Sequence, residues 1–124
     1  MPRQKLKDRR AVVTSKVEHT NATGDKIELL ISFGFDDEGQ VREVFSANPM
    51  VGSDIHAILT DACILISIYL QTGGEPERLV RSLGENREEG KDRGPPSSIL
   101  GSIARAIVDI QQSANKGEFQ DAQT

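Results

Sequence analysis

The segment Gly52–Gly73, GSDIHAILTDACILISIYLQTG, decides how this chain folds. Ser53 can accept from the free amides of a first helical turn, and Asp54 complements the positive helix end. At the other end Gly73 and Gly74 permit the left-handed exit that stops a helix. Between these signals Ala62–Leu70 reads ACILISIYL, apolar around most of the helix circumference, which predicts a central helix buried on several sides. The run is shorter than the roughly 20 apolar residues of a bilayer span, and it carries His56 and Asp61 near its start. It builds a core and names no reaction.

Upstream of this helix the apolar period is two. Val13, Ser15, Val17 and His19 alternate with Thr14, Lys16 and Glu18, a short strand with His19 at its surface or edge. Turn chemistry over 21–24 follows, and then Ile27, Leu29, Ile31, Phe33 and Phe35 fall on one face opposite Lys26, Glu28 and Ser32. Asp36–Gly39 is a polar loop ending in the residue best suited to positive φ, and 40–47 resumes as a strand with Val41, Val44 and Phe45. Asn48 and Pro49 end it. The expected sheet is a three-strand antiparallel meander.

Downstream, Pro76 suits the first turn of a short helix bearing Leu79, Val80 and Leu83, with Gly84 as its stop. The stretch 85–96, ENREEGKDRGPP, has no apolar residue outside its prolines and predicts an exposed loop. Ser97 or Ser98 can then cap a C-terminal amphipathic helix bearing Ile99, Ile103, Ala106, Ile107 and Ile110. The fold class is therefore α+β: a small sheet, a long buried helix, a short helix and an amphipathic one. The expected organisation is a basic disordered arm over 1–10, a single domain over 11–110 and a frayed polar tail over 111–124.

The chain has 124 residues, which fits one domain, and a net charge of -4. Such charge disfavours phosphate backbones unless positive groups segregate, as they do in Arg3, Lys5, Lys7, Arg9 and Arg10. That arm has no interleaved aromatic residue for base stacking, so nucleic acid is not the expected partner. A single cysteine, Cys63, excludes an internal disulfide or a CxxC pair, and no secretory leader pattern opens the sequence. A reducing cytoplasm is the expected location, with no membrane. A three-strand sheet and an apolar helix leave more hydrophobic surface than one thin layer covers, which predicts a homodimer formed through the long helix or by sheet-edge pairing.

Four words in order, EVF (Glu43–Phe45), GSD (Gly52–Asp54), LTDACILISIYLQTGGEPERLVRSLG (Leu59–Gly84) and GPPSSILGSIARAI (Gly94–Ile107), carry a family likeness. Over roughly Ile27–Ile107 the chain resembles the TSCPD domain, found near the C-terminus of vitamin B12-dependent (class II) ribonucleotide reductases and as small stand-alone proteins. The resemblance implies an accessory or regulatory role in deoxyribonucleotide and DNA metabolism through protein contact. A reductase or another protein of nucleotide metabolism is then the expected partner. Its alternatives are a separately encoded subunit of a ribonucleoside-diphosphate reductase, or a nucleic-acid binder using the basic arm. The departure is chemical. Where the family carries Thr-Ser-Cys-Pro-Asp, this chain has Ser97, Ser98, Ile99, Leu100 and Gly101.

One cysteine and two histidines are too few for the four donors of a closed zinc site, so neither metal nor cofactor is expected. A thiyl radical with a pair of reducing thiols is likewise out of reach, so the chain alone should be no enzyme. His56 with Thr60 and Asp61 reads as a solvated first helical turn. Cys63, among Ala62, Ile64 and Leu65, reads as a buried structural thiol. Ser67 is expected to bond back to its own helix, and Tyr69 to bring its hydroxyl to the rim. Two helix starts could attract an anion or nucleotide through free amides: Gly52, Ser53 and Asp54 at one, and Arg93, Ser97, Ser98 and Arg105 at the other.

Overall fold

The computed structural model describes residues 11–47, 54–86 and 94–117. Three strands, β1 (Val12–Thr20), β2 (Lys26–Phe35) and β3 (Val41–Ser46), form one sheet in the order β1-β2-β3 with both pairings antiparallel. The helices α1 (Asp54–Gln71), α2 (Pro76–Ser82) and α3 (Ile99–Asn115) follow. The α+β meander is the architecture that the periodicity predicts.

Polar side chains build both turns. Asn21 Oδ1 accepts from the amides of Thr23 and Asp25, while Asp36 Oδ1 accepts from those of Glu38 and Gln40. Gly24 and Gly39 take φ of +90° and +79° at these turns, where a side chain would be strained. Register then follows from the buried face: Val17 lies opposite Leu29, Val13 opposite Phe33, and Phe33 opposite Val44. Gly34 pairs with Glu43 but Phe35 with Val41, so Arg42 is the extra residue of a bulge.

The core joins one sheet face to α1 and α3. Ile31, Phe33, Phe35, Leu70, Ile103 and Ile107 are all at most 1% exposed. Each such side chain contributes about 1.5–3 kcal/mol on burial. Two expectations about polar residues fail here. His19 is buried, because odd-numbered β1 residues face α3, and its Nδ1 lies 2.8 Å from Ser102 Oγ. Gln111 is buried as well, and α3 continues to Asn115, beyond the last isoleucine of the apolar spacing, because that glutamine is held by the β2–β3 turn. Residues 118–124 of the expected tail and the basic arm lie outside the described residues.

The larger correction concerns α1. Leu59, Ala62, Cys63, Ile66 and Leu70 are buried, but Ile58, Ile64 and Leu65 are more than half exposed. One side only is covered, because β3 is an edge strand and, among the described residues, no further layer lies outside the helix. By length and composition α1, 18 residues at mean hydropathy 1.3, is long and apolar enough to cross a membrane, contrary to the estimate from its apolar run. Its side-chain bonds to β3 mark it as a working part of this domain.

Candidate functional site

Ser67, Gln71 and Gln111 form a constellation that secures the outer side of β3. An edge strand presents unpaired amides and carbonyls, which invite another strand. Ser67 Oγ accepts from the Val44 amide at 2.9 Å and donates to the Val44 carbonyl at 3.0 Å, so it does not bond back to its own helix as expected. Gln71 Nε2 donates to the Arg42 carbonyl at 3.1 Å. From α3, Gln111 Oε1 accepts from the Val41 amide at 2.7 Å while its Nε2 donates to the Gly39 carbonyl at 2.9 Å. Three side chains thus replace a fourth strand. These bonds occupy outward backbone groups of Val41, Arg42 and Val44, whereas among the described residues β1 pairs with β2 on one side only.

Arg42, placed by the bulge, donates through Nε to Asp36 Oδ2 at 3.1 Å and through Nη1 to the Leu70 carbonyl at 2.9 Å. The last turn of α1 has no basic residue of its own, and Arg42 brings a cation to its negative end. Gly73 leaves the helix at φ +94° as expected. Beyond it a Cβ on Gly74 would meet the Tyr69 ring at 2.4 Å, and the Tyr69 hydroxyl donates to the Glu75 carbonyl at 2.9 Å. An open hollow of about 770 Å³ lies there, lined by Tyr69, Thr72, Gly74, Arg78, Arg81 and Ser82 among others.

At the second expected anion site the structure places the chain's own groups. Ser98 is the N-cap of α3, its Oγ accepting from the Gly101 amide at 3.2 Å. Ser97 Oγ donates to Asn86 Oδ1 at 3.1 Å. Arg105 Nη2 donates to the Gly94 carbonyl at 2.7 Å and pairs with Glu85 Oε2 at 3.2 Å, and that carboxylate oxygen also accepts from the Gly94 amide. This clasp, together with the Glu85–Pro96 bridge, brings the two ends of the 85–96 loop together. An anion at this point would compete with Glu85. Of the other expected anion-site residues, Asp54 is exposed at the first position of α1, and Gly52, Ser53 and Arg93 lie outside the described residues.

His19, Ser102 and Cys63 lie in the interior, while His56 is half-buried beside exposed Thr60 and Asp61 on α1. His19 and Ser102 are within hydrogen-bond reach, but at 4% and 7% exposure they are out of a substrate's way. Cys63 is 1% exposed, and burial pushes its thiol up from 9.0 to about 11. Between these values the unfolded chain gives up the proton while the folded one keeps it, so stability should fall as pH rises from about 9 to about 11. Cys63→Ala is expected to flatten that part of a urea-midpoint against pH curve, and an identical slope in the variant would contradict it. Among the described residues no group of three or more His, Cys, Asp or Glu gathers to hold a metal ion.

What distinguishes the surface is apolar. Ile58, Ile64, Leu65 and Ile68 run along the outside of α1, and a groove of about 210 Å³ separates Ile64 from Phe45 on β3, itself 40% exposed. A family model described as the TSCPD domain matches residues 3–111 of the chain. The chain belongs to the TSCPD domain family. No curated protein and no solved structure matches it. In this TSCPD domain Ser98 and Ile99, which stand where the family name has its serine and thiol, are the cap and first residue of α3, and Ile99 is half-buried against the core. The Ser67 constellation escaped sequence reading because a serine within an apolar helix carries no sign of which backbone it will meet.

Proposed function

We propose that this TSCPD domain is a non-catalytic accessory or regulatory module of deoxyribonucleotide and DNA metabolism, homodimeric, acting through protein contact. The observation that carries this reading is the uncovered aliphatic side of α1, since a lone chain seldom exposes so contiguous an apolar strip. His19, Ser102 and Cys63 are buried and face the core, which favours a scaffold over a reaction. The metabolic setting is proposed by analogy with the C-terminal region of class II reductases, which the sequence resembles.

The test is purification of the tagged chain from its native host, followed by mass spectrometry and by assay of the isolated protein with ribonucleotides and a dithiol reductant. The reading expects a reductase or another nucleotide-metabolism protein to be retained and the isolated chain to turn nothing over. Turnover by the isolated chain, or retention of nothing from that metabolism, would overturn it. A reductase active only when this chain is present would favour the alternative of a separately encoded subunit.

A further inference from the structure

We propose that the outer face of α1 is the homodimer interface, with two copies of the helix packed antiparallel about a two-fold axis near Cys63; this rests on the reading above that the domain acts as a dimer. The exposed seam is Ile58, Asp61, Leu65 and Ile68, spaced by three, four and three residues. That spacing reads the same from either end. A two-fold interface requires each patch to complement itself, and here Ile58 meets the partner's Ile68 while Asp61 meets the partner's Leu65.

Area supports a second copy as the occupant. Ile55, Ile58, Ile64, Leu65 and Ile68, exposed by 53%, 63%, 51%, 67% and 37%, together present roughly 500 Å², near the top of the range for the largest patch on a lone chain. With exposed Ala57 and Thr60 beside them and Phe45 across the groove, the face approaches the about 800 Å² per partner that a stable dimer buries. A lipid surface fits less well, because α1 carries no lysine or arginine and turns Asp54 and Asp61 outward. Strand pairing at β3 is blocked by Ser67 and Gln71.

Asp61 makes the inference specific. A carboxylate inside an otherwise aliphatic seam opposes association. Asp61→Leu should therefore tighten the dimer by about tenfold, and the pair Ile58→Glu with Leu65→Glu should weaken it by about a hundredfold. Sedimentation equilibrium over a micromolar concentration series reads both, with far-UV circular dichroism confirming that each variant keeps its helices. A wild-type chain that is monomeric throughout, a dimer indifferent to both variants, or retention on neutral phosphatidylcholine vesicles in place of dimerisation would overturn the interface. The proposed metabolic role fails separately, on the co-purification and turnover experiments, because a monomer could still retain a reductase.

Discussion

Ser67→Ala is expected to destabilise the domain by about 2–4 kcal/mol in a urea titration, a large loss for removing one oxygen atom. Among the described residues Ser67 is the only partner on the outer side of β3 for the amide and carbonyl of Val44, which is itself 2% exposed. Removing the hydroxyl leaves a donor and an acceptor of a buried residue without their partner, at about 1–3 kcal/mol for each unsatisfied group. Helix propensity works the other way, since alanine is the better helix former by a few tenths of a kcal/mol, so a net loss must come from the strand edge. Thr60→Ala, on the exposed side of the same helix, should shift stability by less than about 0.5 kcal/mol. If the two variants lose equally little, Ser67 does not close the edge.

Gln111→Ala should cost about 2–3 kcal/mol by the same measurement, through a different part of the molecule. Its amide group holds the buried Val41 N–H, the Gly39 carbonyl at the β2–β3 turn and Asn115 Oδ1 on its own helix. Truncation leaves the Val41 amide unpaired and frees the hairpin turn from α3. Gln111→Glu retains an acceptor for Val41 but sets a carboxylate against the Gly39 carbonyl and Asn115 Oδ1, so it should not restore the loss. Full rescue by glutamate would show that the Val41 bond alone matters and that the link from turn to helix contributes nothing.

Both predictions concern contacts that sequence patterns do not reach. The strands were legible because alternation such as Ile27, Leu29, Ile31, Phe33 and Phe35 reports a half-buried face within a few residues of chain. The α3 start was legible because Ser98 bonds an amide three residues on. Ser67 to Val44, Gln111 to Val41 and His19 to Ser102 span 23, 70 and 83 residues, and nothing local selects one partner over another. The candidate anion sites show the same limit. Ser97, Ser98 and Arg105 do converge in space, but the nearby carboxylate of Glu85, from the far side of the loop, is what meets the arginine.

By itself, then, the amino-acid order determined the elements, their sequence along the chain, the antiparallel meander and the buried thiol, all set by periodicities, caps and turns acting over a few residues. Tertiary structure alone decided which side of α1 is covered, which polar side chains close the β3 edge, and that the histidine of β1 belongs to the interior. The physical reason is that an apolar helix states a need for burial without naming the surface that meets it. A buried polar atom likewise finds its partner only when packing brings two distant segments within bonding distance.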